Sequence, residues 1–211
     1  MSIKRMPYHH TVYSDKDAKS ESKKILLKRK EGIMRYLPVP TENLEIIQDE
    51  IYSLFPSDLM SQSVLHYVTP ADFIKKPNLK SYLEKTECIN HVEAMAFIVF
   101  QPFCVHSIHI DSGSTEYSLN IPIKNCKNTY VNFYQNNGPI EKKLTPNKLT
   151  FYKYDPKQCV LIDRAEMSIP HIINVKHPHN VVNENDTVRI AFLIRLKKEF
   201  ELSSDQKKKC I

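Results

Sequence analysis

Two short stretches of the sequence carry side chains that could bind one metal ion together. His109 and Asp111 lie two residues apart in a run that alternates like a β-strand, so both side chains leave the same face of the backbone. An imidazole from a distant strand would complete a set of two histidines and one carboxylate. Such a set suits ferrous iron and leaves coordination positions open for substrate and oxygen. We predict that His179 is the third ligand.

Three other histidines are candidates for the same region. His177 precedes His179 by two residues and shares its face if the chain is extended, as the proline between them favours, so it is the alternative third ligand. His106 comes three residues before His109 and is expected to face away from it. His171 either supports the site from nearby or simply begins a strand.

Arg189 lies ten residues after His179. If residues 183–185 form a three-residue hairpin loop with Asn185 left-handed, Arg189 and His179 become cross-strand partners on the same side. The guanidinium would then reach beyond the metal, where its planar fork could hold a carboxylate through two hydrogen bonds. Arg195 lies an even number of residues after Arg189, so it would share the same face of the strand, and it is the second candidate for this role.

The composition restricts the class of protein. With 211 residues and 41% hydrophobic residues, the chain is long enough for one sizeable domain. It has neither an apolar run of membrane-spanning length nor a secretory signal, so we expect a soluble, cytoplasmic protein. Five cysteines without a C-x-x-C pair indicate reduced thiols. Three glycines argue against phosphate-cradling loops and nucleotide binding.

The net charge of +6 lies in the N-terminal segment. Residues 1–35 hold ten lysines and arginines against four acidic residues, and the rest of the chain is formally neutral. This composition predicts a basic, partly disordered leader. Such a leader could contact nucleic acid, but it contains no recognisable nucleic-acid-binding motif. We therefore predict a small-molecule or peptide partner, with nucleic acid as the alternative and no membrane contact.

The periodicity changes along the chain. Residues 41–86 predict helices: one begins at Thr41 as N-cap and ends before Pro56, a shorter amphipathic piece covers 57–67, and another begins at Pro70 and is broken at Pro77. From residue 92 to 197 short alternating runs are separated by turn residues, with no helical pattern between them. A mainly β fold of the jelly-roll type is predicted, with the N-terminal helices buttressing one sheet. Residues 36–198 would form a single catalytic domain, followed by a charged tail at 199–211.

The order of His109, Asp111, His179 and Arg189 in such a strand set resembles the iron(II)- and 2-oxoglutarate-dependent dioxygenase family. The sequences of residues 118–123 and 178–183 are similar to those of small viral and microbial members of this family. The resemblance covers roughly residues 90–197. It implies a double-stranded β-helix, iron(II) held by the two histidines and the aspartate, and the distal carboxylate of 2-oxoglutarate held by Arg189.

The resemblance further implies an oxygenase that uses O2, hydroxylates an unidentified substrate and releases succinate and CO2. Asn120 and Tyr134 are strand residues that could help to hold 2-oxoglutarate, and no catalytic residue is predicted beyond the metal ligands. The histidine and glutamate spacing of cupins is absent. Two alternatives remain open: a non-catalytic jelly-roll binding module in which His109 and Asp111 are structural, and an oxygenase acting on nucleic acid held by the basic leader.

Overall fold

The computed structural model describes residues 34–111, 115–144 and 150–202. The predicted leader up to residue 33 and the predicted tail from residue 203 lie outside the described residues. The helices are α1 (Leu44–Tyr52), α2 (Pro70–Ile74) and α3 (Pro77–Lys85). The strands are β1 (Tyr36–Pro38), β2 (Val64–Val68), β3 (Val92–Phe100), β4 (His109–Ile110), β5 (Tyr117–Lys124), β6 (Thr129–Asn136), β7 (Ile140–Leu144), β8 (Thr150–Tyr154), β9 (Cys159–Glu166), β10 (His171–Asn174), β11 (His179–Asn183) and β12 (Arg189–Leu196).

Within the described residues the strands form two antiparallel sheets of six. The first sheet has the order β1-β10-β5-β12-β3-β2, and the second has the order β7-β8-β4-β11-β6-β9. The chain changes sheet between β9 and β10, between β10 and β11, and between β11 and β12, as in a jelly roll. The predicted mainly β jelly-roll fold with N-terminal helices is therefore confirmed. None of the helices in the described part is long and apolar enough to cross a membrane.

The helices cover the outer face of the first sheet. Strand β12 explains why, because one of its faces is entirely apolar and the other carries two arginines. Its even-numbered residues pack into one cluster with α1 and α3, and this cluster includes Ile47, Ile51, Leu79, Leu83, Ile190, Phe192, Ile194 and Leu196. Alternation along the strand turns its odd-numbered residues toward the second sheet. Arg189 and Arg195 therefore lie on the face of β12 that is turned toward the second sheet, and Arg195 lines the cavity between the sheets.

A second apolar cluster fills part of the space between the sheets. It consists of Val131, Phe133, Ala165, Met167, Ile173 and Val175. Next to this cluster lies a cavity of about 210 Å³, and Val131, Ile173 and Val175 of the cluster contribute to its wall. Side chains from both sheets line the cavity, among them Leu193 of β12 and Val181 of β11. The fold thus places a partly apolar chamber between two layers whose facing residues alternate along each strand.

Two element predictions in the N-terminal half were wrong. The first helix begins at Leu44, not at Thr41, because Asn43 is left-handed (φ 57°) and no side chain caps the helix. The predicted amphipathic piece at 57–67 is a short 3-10 helix followed by β2. Burial alternates residue by residue along this segment, with Val64 and Val68 less exposed than Leu65. This period of two is typical of a β-strand, and the segment pairs with β3 in a regular register.

The predicted hairpin between His179 and Arg189 does not form. Strand β11 pairs with β4 and β6 in the second sheet, whereas β12 pairs with β3 and β5 in the first. Arg189 lies opposite Phe100. The chain crosses between the sheets after Asn183, whose side-chain amide donates to the carbonyl oxygens of Gln101 (3.0 Å) and Thr187 (2.9 Å). These bonds tie the end of β11 to the segment after β3 and to the loop before β12. The two strands continue in different sheets and do not pair.

Candidate metal centre

His109, Asp111 and His179 converge on one point of the cavity wall. One ligand atom from each lies within 4.8 Å of the others. Strand register produces this arrangement, because β11 pairs with β4 so that His179 is directly opposite His109. Asp111 follows β4 by one residue, and its Oδ1 lies 3.3 Å from Nε2 of His109. The predicted ligand set is therefore brought together at a single site.

Each histidine of this group is held by a backbone carbonyl oxygen. Nδ1 of His109 lies 2.8 Å from the carbonyl oxygen of Ser107, and Nδ1 of His179 lies 2.8 Å from that of His177. A carbonyl oxygen can only accept, so Nδ1 carries the proton in both rings. Nε2 of His179 then presents a lone pair to the cavity, which is the form that binds a metal ion, whereas Nε2 of His109 faces Oδ1 of Asp111 at 3.3 Å.

The alternative third ligand, His177, contributes differently. Its carbonyl oxygen orients the His179 ring, and its own ring is outside the three-ligand group. Burial and the positive charge of Arg35 lower the pKa of His177. The structure thus brings His179 to the site and leaves His177 as its support.

Asp111 is fixed from several directions. Nη2 of Arg195 donates to its Oδ2 at 2.8 Å, and Nζ of Lys176 donates to its carbonyl oxygen at 2.9 Å. Burial raises the pKa of Asp111, but the hydrogen bond with His109 and the charge of Arg195 outweigh it and hold this pKa well below its usual range. The carboxylate is ionised at neutral pH, with Oδ2 committed to Arg195 and Oδ1 turned to the imidazoles.

His179 is neutral at pH 7. Its exposed fraction is 6%, and burial together with the neighbouring charge of His109 lowers its pKa to about 4. The site thus combines a neutral imidazole and an ionised carboxylate. A metal ion therefore needs to displace no proton from His179 at neutral pH.

This pKa predicts a loss of stability of the metal-free protein in mild acid. In the unfolded chain His179 binds a proton as the pH falls below about 6.5, but in the folded chain it does so only near 4. The free energy of unfolding should therefore decrease across this window, by roughly 2 to 3 kcal/mol from His179 alone. Urea unfolding in the presence of a chelator, at several pH values, measures the decrease.

The His179→Gln variant is the control for this measurement, because glutamine does not titrate. We expect its stability to change less between pH 6.5 and 4 than that of the wild type. Equal changes in the two proteins would contradict the proposed neutrality of His179.

The two arginines of β12 differ in their partners. Arg195 is bound to Asp111. Arg189 is 2% exposed and lies over the Phe100 ring, with its Cζ 5.5 Å from the ring centroid. Its Nε and Nη1 have no hydrogen-bond partner among the described residues. A buried guanidinium in this state is costly, and a carboxylate would satisfy it through two parallel bonds.

The two remaining predicted binding residues lie in different places. Asn120 lines the cavity. Tyr134 is on the opposite face of the second sheet, where its hydroxyl donates to Oδ1 of Asn180 at 3.2 Å. Residues opposite each other on paired strands share a face of the sheet, and His179 is opposite Phe133 on the cavity side. Tyr134 follows Phe133 directly in the strand, so its side chain points away from the cavity. The prediction for Tyr134 was wrong.

Sequence reasoning missed two neighbours of the site. The His106 ring lines the cavity, 4.6 Å from the His109 ring centroid to centroid, although it was expected to face away. Only a single bridge at Val105 precedes β4, so the strand alternation is broken between the two histidines. Nothing in the sequence pattern indicated a role for Lys176. Its contact with Asp111 depends on a turn after β10, and the periodicity of the sequence does not predict the path of that turn.

No protein-family profile matches the chain, and no curated protein matches it. Solved structures with a similar fold include a 2OG-Fe(II) oxygenase family oxidoreductase from Burkholderia pseudomallei, with 10% identity, 84% of this chain and 90% of that chain covered, and a TM-score of 0.47. A prolyl-4-hydroxylase from Pseudomonas putida has 9% identity, coverages of 83% and 98%, and a TM-score of 0.44. A cupin domain from Bordetella pertussis Tohama I has 14% identity, coverages of 49% and 80%, and a TM-score of 0.30.

The structural neighbours therefore include both oxygenases and cupins. At these identities and scores the likeness carries no activity over to this chain. The fold is assigned from the strand order, and the chemistry of the site is argued from its own residues.

Proposed function

We propose that this protein is an iron(II)- and 2-oxoglutarate-dependent oxygenase. The observation that carries the proposal is the convergence of one ligand atom each from His109, Asp111 and His179 within 4.8 Å at the cavity wall. Two imidazole nitrogens and one carboxylate oxygen form the donor set that suits ferrous iron and leaves coordination positions open. The carbonyl-bound Nδ1 atoms support this role, because they orient both rings and leave Nε2 as the nitrogen that would face the metal.

Arg189 supports the choice of co-substrate. Its buried Nε and Nη1 need an acceptor that the described residues do not provide. A dicarboxylate bound at the metal by its 2-oxo acid end would have to extend its distal carboxylate toward Arg189, which is not itself among the residues that line the chamber but lies against Phe100, which is. Arg195 is less suited, because its Nη2 is already bound to Asp111. Asn120 lines the same chamber and offers a polar group to the co-substrate.

When bound, the metal and the co-substrate would supply the oxidising chemistry, in which O2, 2-oxoglutarate and a substrate C–H group yield succinate, CO2 and a hydroxylated product. The chain itself would position the reactants. Arg195 and Lys176 hold Asp111 in place, and Leu193, Val181 and their apolar neighbours line the chamber in which the reactants would meet.

Anaerobic titration tests the proposal. Iron(II) followed by 2-oxoglutarate should produce the visible charge-transfer absorption of the chelated complex in the wild-type protein. Succinate as the added acid is the control, since it lacks the 2-oxo group and cannot chelate in the same way. A protein that binds neither iron(II) nor 2-oxoglutarate would contradict the proposal and favour a non-catalytic binding module.

A further inference from the structure

The two sheets have four edges, and three of them carry features that discourage pairing with another strand. Strand β1 has only three residues and ends in proline, β7 carries Glu141 and two lysines, and β9 carries charged residues and faces a register shift in β6. Short length, proline, charge and bulges are the usual ways to protect a sheet edge.

Strand β2 forms the fourth edge and has none of these features. Its sequence, Val-Leu-His-Tyr-Val, contains no proline, lysine, arginine or acidic residue, and it pairs with β3 in a regular register over five residues. Among the described residues it has a neighbour on one side only. Half of its backbone N–H and C=O groups therefore have no strand partner in the described part of the chain and could pair with another strand.

This edge also borders the candidate metal centre. Ser63, Val64 and Leu65 line the same cavity as His109 and His179. Leu65 lies opposite Ile98 of β3, and Tyr67 lies opposite Ala96, so both face the cavity side of the first sheet. They are 41% and 48% exposed, which is unusual for large apolar side chains next to each other. An apolar strip thus runs from the cavity along β2.

We propose that the substrate of this site is an extended, apolar peptide segment that pairs with the free edge of β2. Pairing would satisfy the outward backbone groups of β2, and only an occupant with a peptide backbone can do so along the whole strand. Every second side chain of the added strand would point to the cavity side, where Leu65, Ile98 and Leu193 form an apolar wall. The inference rests on the proposed oxygenase function, because it names the class of molecule that the oxygenase would act on.

A blocked heptapeptide with the sequence Ser-Val-Ser-Leu-Ser-Val-Ser tests the proposal, with binding to the full chain measured by fluorescence anisotropy. Two N-methylated forms, each methylated at alternate amides, separate backbone pairing from side-chain contact. Alternate amides of a strand point to opposite edges, and only one edge would pair with β2. The form methylated on the pairing edge should bind at least about ten-fold more weakly, and the other form should bind like the parent peptide. Equal binding by all three peptides, or binding by none, would overturn the proposal.

Variants of the protein test the location. Tyr67→Lys places a charge on the free edge, as natural sheets do, and should weaken binding by about ten-fold or more. The control is Val160→Lys, which changes a residue of similar exposure (52%) on the edge strand β9 and should leave binding unchanged. Equal effects of the two variants would overturn the assignment to β2.

Two further measurements separate peptide docking from self-association and from the oxygenase chemistry. If sedimentation shows that the wild type self-associates and Tyr67→Lys does not, the occupant of the edge is a second copy of the chain and the peptide proposal is overturned. The charge-transfer absorption of the wild type is recorded separately. Absorption without peptide binding overturns this inference alone, whereas peptide binding without absorption overturns the oxygenase and leaves the docking edge.

Discussion

The His179→Ala variant should lose iron(II) binding, with at least about a 100-fold lower affinity and no charge-transfer absorption. The reason is that His179 supplies one of the three ligand atoms that the described residues bring together at the proposed centre. Losing an outer partner of a metal ligand already costs up to about 100-fold, and losing the ligand itself should cost more. Anaerobic titration with iron(II) and 2-oxoglutarate measures both quantities.

The chain offers a matched control for this variant. His171 is 4% exposed, and its Nδ1 lies 2.8 Å from the carbonyl oxygen two residues earlier, as in His179. It packs edge-on against Tyr36 and is outside the ligand group. His171→Ala should therefore destabilise the fold by a similar amount, about 2 to 4 kcal/mol, and keep the absorption. Loss of absorption in both variants would mean that unfolding, not ligation, explains the result.

The Arg189→Met variant should produce two effects of opposite sign. Without co-substrate, the wild type keeps a buried guanidinium with two unpaired nitrogens, so methionine should stabilise the metal-free protein by about 1 to 3 kcal/mol. With co-substrate, the variant loses the proposed partner of the distal carboxylate. The Kd for 2-oxoglutarate should rise about 100-fold or more, because removing one partner of a buried pair costs at least about 3 kcal/mol.

Thermal unfolding in the presence of a chelator measures the first effect, and anaerobic thermal unfolding with iron(II), with and without 2-oxoglutarate, measures the second. Arg164→Met is the control, since Arg164 is paired with Glu184 at the surface and lies over the Tyr130 ring. Arg164→Met should not stabilise the metal-free protein, and 2-oxoglutarate should stabilise it as much as it stabilises the wild type. If the co-substrate stabilises Arg189→Met as much as the wild type, then Arg195 is the better candidate for the carboxylate.

Local alternation was enough to predict much of this site. The spacing of His109 and Asp111 defines their common face without reference to any partner strand. The same reasoning could have corrected Tyr134, because Val131 and Phe133 are apolar and alternate with Asn132 and Tyr134, which marks the polar pair as the outer face.

The errors arose where the answer depended on distant parts of the chain. A period of two tells which face a residue takes, but not which sheet its strand joins. Arg189 was placed opposite His179 by a local hairpin, whereas the side chain of Asn183 ties the crossing to Gln101, more than eighty residues away in sequence. His106 was misplaced because the strand before β4 is interrupted, and alternation holds only where pairing is continuous.

The change of sheet between β11 and β12 would give the co-substrate of the proposed function a mechanical role. His179 belongs to one layer and Arg189 to the other, so a molecule bound to both would fasten the layers across their gap. The apolar cluster between the layers is a permanent connection of this kind. On the proposed function, a supply of 2-oxoglutarate would therefore act as a removable crosslink, and the lifetime of the folded protein would depend on the metabolite that it consumes.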